Sequence, residues 1–307
     1  MTHDLTADLA ATSILTLGAK GTLEGRPFEL TGRRCFRGRR GNLWNEWTLS
    51  DVPCFLSEAA GSFTLFREGS LVSAADALLP GDRLPWIVVE RGTATRLADW
   101  GEVEPPPEPY DFLDLCEVAP APRRASVAQG RTFLGRAIDP RALGLALAPH
   151  PPRLVAVPDV SPPSGIEPWL VPGDRGALDG VEYTVLGLVA RVNEEGERWQ
   201  EYCMYSAGIG LRWLVAGADG RWSYVAPVEA GTIAEDLTDP PFFTKLEWAS
   251  GELPWRAERG ELTWQQEHGD LTLERVLGTE LSWSRATPLP SNTIARAFDK
   301  RALPRPR

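Results

Sequence analysis

The chain repeats itself, and that limits its fold more than any other feature. Gly18, Gly21 and Gly25 fall on Gly173, Gly176 and Gly180 at a constant offset of 155 residues. The same register carries Phe28 onto Tyr183, Leu30 onto Val185 and Gly32 onto Gly187. It still holds where Trp44-Asn-Glu46-Trp47 meets Trp199-Gln-Glu201-Tyr202, so about 35 residues align without a gap. Matches then resume with small slips: Phe55-Leu56 with Trp213-Leu214, Leu84-Pro85-Trp86 with Leu253-Pro254-Trp255, and 136–143 with 296–303. A chain of 307 residues written in this way predicts two tandem homologous domains, 13–145 and 169–304, joined by a Pro-rich linker at 146–168. Fifteen of the 27 prolines lie between 104 and 172. Proline lacks the amide hydrogen that a ladder needs, so this region is expected to be extended connector rather than sheet. The Leu154-Val-Ala-Val157 stretch inside the linker is expected to pack as an edge strand.

Within each copy the apolar period is two. Phe28, Leu30 and Gly32 are expected to share one face, as are Tyr183, Val185 and Gly187. In the next strand Trp47 and Leu49 share a face, and Trp44 and Glu46 share the opposite one. A hairpin joins the two strands, and further strands are expected around 54–56, 62–66 and 85–90. Short strands, frequent glycine and 12 tryptophans favour a mainly β fold, each domain a sandwich or an open barrel with a short C-terminal helix. Ser291 or Asn292 is placed to cap that helix in the second copy. Pro140 should shorten it in the first.

Composition narrows function by exclusion. The formal net charge of −10 opposes nonspecific nucleic-acid binding, which rests on neutralising phosphates. No apolar run approaches the roughly 18–20 residues that span a bilayer, and the first residues lack the basic flank of a signal peptide. Cytoplasmic location is the expectation. Cys35, Cys54, Cys116 and Cys203 are widely spaced with no C-x-x-C pair, which reads as reduced structural thiols and no metal site. His3, His150 and His268 sit in a tail, a linker and a turn, and no nucleophile or phosphate-loop motif accompanies them. The expectation is a protein that is not an enzyme and carries no cofactor.

The pattern Gly-x-x-Gly-x-x-x-Gly, then aromatic-x-aliphatic-x-Gly, then Trp-x-Glu-[Trp/Tyr] resembles a bacterial family catalogued as domain of unknown function 4178. Both copies carry it. The resemblance implies no established activity. Such domains tend to be encoded beside phage-shock-type membrane-remodelling proteins, small membrane proteins and polyamine-related enzymes, which implies an accessory role in envelope maintenance or membrane stress. Some relatives begin with zinc-binding cysteines that this chain lacks, so no metal is carried over.

Two constellations stand out as candidate sites. Glu46 and Glu201 are equivalent, and each follows a tryptophan, Trp44 and Trp199, on the same strand face. They read as a ligand or structural pair, and as an acid–base pair only if they converge. The tryptophans read chiefly as core, with Trp248, Trp264 and Trp283 the better candidates for exposed contacts. The hairpin tips differ in charge: Arg33, Arg34, Arg37, Arg39 and Arg40 in copy one, Glu194, Glu195 and Glu197 in copy two. A basic tip suits an acidic protein partner or an anionic lipid surface, and opposite tips suit head-to-tail self-association. The leading expectation is a cytoplasmic interaction or adaptor module with a protein partner. The alternative is a binder of a polyamine-like cation in an acidic, aromatic cleft.

Overall fold

Period-two alternation does build hairpins, and they follow one another round closed circuits. The computed structural model describes residues 9–70, 86–104, 109–117, 123–158, 160–207, 209–228, 240–276 and 280–300. The N-terminal strands are β1 (Lys20–Leu23), β2 (Arg26–Arg37), β3 (Leu43–Leu49), β4 (Cys54–Ala59), β5 (Ser62–Gly69), β6 (Trp86–Gly101), β7 (Tyr110–Glu117), β8 (Arg124–Ala128) and β9 (Arg131–Ala137). A two-residue β10 (Val155–Ala156) precedes β11 (Arg175–Leu178), β12 (Val181–Asn193), β13 (Arg198–Ser206), β14 (Gly210–Ala216), β15 (Trp222–Val228), β16 (Phe242–Leu253), β17 (Leu262–His268), β18 (Leu271–Val276) and β19 (Glu280–Leu289). Helix α1 (Ser291–Ala297) follows.

All pairings are antiparallel, and they close on themselves. Pairing runs β2-β3-β4-β5-β9-β8-β7-β6 and returns from β6 to β2. It also runs β12-β13-β14-β15-β19-β18-β17-β16 and returns to β12. Each circuit is a closed barrel of eight strands, which removes the free edges that an open sheet exposes. Neither a sandwich nor an open barrel describes this closure. β1 and β11 are extra strands on β2 and β12. One ladder position, Glu280 opposite Glu90, joins the two barrels, and apolar packing adds to it: Tyr205 sits in the N-terminal cluster, and Ile87 and Cys116 pack against Leu273, Leu281 and Trp283.

The matched glycines have matched jobs. Glu24-Gly25 and Asp179-Gly180 turn their hairpins with positive φ at both residues, the mirror-image turn that suits strand twist. Gly32 and Gly187 sit at bulges after Leu30 and Val185, so they do not continue the faces of those residues as period two would have it: Leu30 pairs with Leu49 but Gly32 with Thr48, and Val185 with Met204 but Gly187 with Cys203. A Cβ on Gly32 would lie 2.1 Å from the Glu102 carbonyl oxygen, and one on Gly187 would lie 2.3 Å from that of Glu252. Main-chain bonds repeat too: Gly18 N–H to Leu30 and Gly173 N–H to Val185.

The largest apolar clusters lie on the outer face of each barrel, not in its lumen. Phe28, Leu30, Trp47, Leu49, Leu56 and Leu65 pack under Ile14, Leu15 and Leu143. Tyr183, Val185, Leu188, Tyr202, Met204 and Leu214 pack under Leu170, Ile294 and Phe298. Helix α1 forms where expected and covers its barrel, but Pro290 occupies its N-cap and no side chain caps it, so neither Ser291 nor Asn292 serves as the cap. Residues 301–303, where the sequence extends the helix, lie outside the described residues. In the first barrel Pro140–Leu143 makes only a 3-10 turn, capped by Asp139.

The expectation of connector across 104–172 is overturned by β7, β8 and β9. The strands themselves carry no proline, and the described Pro109 and Pro140 lie outside them, where no ladder hydrogen bond is lost. The linker itself does supply an edge strand, with Val155 and Ala156 paired to Leu253 and Glu252 of β16. Among the described residues no helix is long and apolar enough to cross a membrane.

Candidate functional site

The two lumens differ in kind. In the N-terminal barrel, Phe36, Ala94, Tyr110, Phe112 and Ala128 are buried against Trp44 and Phe133, on six different strands round the circuit. Phe36 stacks on Trp44 at 5.4 Å and on Tyr110 at 4.6 Å, and Phe55 packs between Phe66 and Phe133 at 5.1 Å from each. Rings occupy this lumen. Glu46 enters it, accepts the Tyr110 hydroxyl at 2.9 Å and pairs with Arg34 at 3.2 Å. Burial raises the Glu46 carboxyl above its usual range, against the pull of Arg34.

In the C-terminal barrel Arg191 stands where Phe36 stands in the other register. It is among the most buried side chains of the protein, at 1% exposure. Its Nε meets Glu201 at 3.2 Å, its Nη1 donates to Thr263 at 3.1 Å and Thr244 at 3.4 Å, and its Nη2 faces Glu274 at 3.7 Å. These partners come from β13, β16, β17 and β18, so the cluster sits inside the circuit. Burial by itself would lower the Arg191 pKa, but the adjoining Glu201 and Glu274 carboxylates hold it above its usual range. Glu274 is raised by burial first, with Glu201 and Glu280 adding to the effect of burial.

Above this polar floor lies a cavity of about 1240 Å³. Trp199, Trp213 and Trp255 line it, with Trp213 and Trp255 at 5.9 Å. Eight acidic and four basic side chains border it. Two of the bases, Arg191 and Arg40, are paired twice over. Among the described residues no ion pair neutralises Glu194, Glu195, Glu197 or Glu267. The cavity can therefore hold positive charge, by carboxylates at the rim and indole faces on the wall.

The sequence candidates distribute as follows. Glu201 accepts the Trp199 indole N–H at 2.6 Å, so this Trp–Glu pair belongs to the cavity. Glu46 and Glu201 do not come together: each lies in its own lumen with its own partners. Glu194, Glu195 and Glu197 lie in the turn between β12 and β13 and line the cavity. The five-arginine tip does not exist as one surface. Arg33 and Arg34 lie within β2 and are consumed internally: Arg33 is buried, bonding to Leu9, Ala10, Thr12 and Asn45. Arg40 crosses to the other barrel, where it pairs with Glu261 at 2.7 Å and Glu280 at 2.9 Å. Arg37 and Arg39 remain exposed. Of the tryptophans expected at the surface, Trp248 and Trp283 are buried at 8%, and Trp264 is half-buried under Arg275. Both buried indoles complete apolar clusters, one under α1 and one at the barrel junction.

Sequence reading missed Arg191, Glu274, Glu261 and the buried Glu58. The signal for Arg191 was present, because a strand position holding Phe in one register held Arg in the other. Glu58 is 1% exposed and accepts from the Ser13 hydroxyl, the Ile14 N–H at 2.9 Å and the Trp47 indole at 3.0 Å. That lock fastens the N-terminal segment to the barrel. Cys35, Cys116 and Cys203 are buried free thiols, and Cys54 is half-buried.

Fold and cavity together define a closed antiparallel β-barrel with a polar lumen, beside a second barrel whose lumen holds a cluster of aromatic rings. Residues 171–291 match a family described as Domain of unknown function (DUF4178). The match falls on the second of the two stretches that carry the glycine–tryptophan pattern. No curated protein and no solved structure matches the chain.

Proposed function

We propose that the C-terminal barrel is a binding module whose lumen takes a small organic cation of the polyamine type. One observation carries this reading: a lumen walled by tryptophan with an excess of carboxylates, where the lumen of the other barrel holds a cluster of aromatic rings. Ligand pockets of roughly 300–1,000 Å³ combine apolar walls with a few placed polar groups, and this lumen has that make-up on a larger scale. The two barrels are read as diverged copies of one domain, since bulge, turn and strand order repeat at matching positions. On that reading the first copy is the structural member and the second the binding member. An adaptor role is less favoured, because three of the five tip arginines are engaged within the chain. A setting in membrane stress rests on the family resemblance alone.

The test is calorimetric titration of the full chain with spermidine, beside a triple variant Glu194→Gln, Glu195→Gln and Glu197→Gln and a Trp213→Ala variant. The rim residues are exposed, so the triple variant keeps the fold. Saturable binding that weakens about tenfold in each variant is expected, in line with the ~1–2 kcal/mol of a partly desolvated cation–π or charge contact. The reading fails if spermidine does not bind, or if neither variant weakens it.

A further inference from the structure

The cation-binding corner of the cavity is already occupied, by the protein itself. The turn between β2 and β3 of the N-terminal barrel carries Arg40 across the junction. Its guanidinium lies 5.4 Å from the centroid of the Trp255 ring. Nη2 meets Glu261 at 2.7 Å and Nη1 meets Glu280 at 2.9 Å. Glu261 also accepts the Trp255 indole N–H at 3.3 Å, which fixes ring and carboxylate as one seat. An aromatic face with two carboxylates is the arrangement that recognises an organic cation. Arg40, Trp255 and Glu280 all line the cavity.

The main chain of the tip also meets the C-terminal barrel. Arg256 donates its main-chain N–H to the Arg40 carbonyl at 2.7 Å, and Gly41 lies close against the Arg256 side chain. The Arg40 side chain keeps 19% of its surface in solvent, so a dissolved cation can reach the seat. A tethered side chain competes with a dissolved ligand through its high effective concentration.

We propose that Arg40 is a built-in competitor for the cation site of the C-terminal barrel, so that ligand binding displaces the Arg40 side chain and frees the β2–β3 tip from that barrel. This rests on the reading of the lumen as a cation site. A side chain seated about nine-tenths of the time lowers the apparent affinity of a competing ligand about tenfold.

The experiment compares the full-length wild type with Arg40→Ala in two measurements. Spermidine affinity is read by calorimetry, and the thermal midpoint is read with and without ethylguanidinium. Arg40→Ala should bind spermidine about tenfold tighter than wild type. Ethylguanidinium should raise the midpoint of Arg40→Ala and leave wild type unmoved, and adding Glu261→Gln to Arg40→Ala should abolish that rise. Spermidine should also speed hydrogen exchange at the Arg256 amide of wild type. Equal spermidine affinities, with no selective effect of ethylguanidinium, overturn the competitor and leave the ligand reading intact. Absence of spermidine binding in both, with selective stabilisation by ethylguanidinium, upholds the self-occupied seat and removes the polyamine reading. If Arg40→Ala does not fold, Arg40→Gln takes its place, with the same outcomes.

Discussion

Glu90 offers the sharpest test of the barrel junction. Its Cα is paired with Glu280 of the other barrel and with Asp114 on β7, so its carboxyl sits between two others. Burial, then repulsion from Glu280 and Asp114, raises its pKa from 4.5 to about 8, against weaker help from Asn42 and Arg40. The folded state thus keeps a proton that the unfolded chain gives up above pH 4.5. A raised carboxyl pKa makes its stability contribution complete at low pH and lost as pH rises through the folded value. At pH 7 the gap from 4.5 spans about 2.5 pH units at ~1.4 kcal/mol each, or about 3.5 kcal/mol. Solvent reaches part of the side chain, which makes this an upper value. Glu90→Gln cannot titrate and keeps the shape. Urea unfolding of wild type and Glu90→Gln at pH 5, 6, 7, 8 and 9 should give curves that nearly meet at pH 5. They should then separate by up to ~1.4 kcal/mol per pH unit, with the variant more stable, and level off above pH 8. Parallel curves, or a variant that is less stable at pH 8, would refute a carboxyl held neutral at the junction.

Arg191→Met should cost about 3–5 kcal/mol in urea unfolding, since it strands Glu201 and Glu274 inside the lumen; a loss under 1 kcal/mol would mean that water replaces the guanidinium. Gly187→Ala places a methyl 2.3 Å from the Glu252 carbonyl oxygen, and should destabilise the chain by about 1–3 kcal/mol. Gly180→Ala, where no atom lies within 4 Å of the added Cβ, serves to separate close contact from φ strain. Glu58→Ala leaves the Ser13, Ile14 and Trp47 donors unmet, at a cost of about 2–4 kcal/mol. Limited proteolysis should then cut the N-terminal segment before the barrel, and an unchanged cleavage pattern would count against the lock.

The hairpins were legible because their signals are local. Alternation placed Trp47 with Leu49 and Trp44 with Glu46, and both face assignments hold in β3. Repeat register aligned Gly32 with Gly187, but it gave no sign of the bulge at either, which shifts each off the face of the residue before it. Closure was not legible, since the β5–β9 and β2–β6 pairings that complete the first barrel join distant segments with no shared motif. The Pro-rich region misled for a related reason: proline density averages over loops and strands, whereas strand formation depends on which residue each proline occupies. The charged tip misled because counting arginines between two strands ignores strand length. β2 runs to Arg37 and draws Arg33 and Arg34 into the sheet. Polar residues in a lumen break the usual link between alternation and burial, so Arg191 and Glu274 read as surface positions until the circuit closes round them.

The placement of the main apolar clusters outside the barrels has an evolutionary consequence. A lumen that supplied the folding energy would resist change, because each new ligand contact would erode the core. Here the outer face, sealed by α1 or by the 3-10 turn, carries that burden, and the lumen is released from it. One architecture can then be lined with rings in one barrel and with charge in the other. Selection can rewrite the inside of such a barrel residue by residue while the outside keeps it standing.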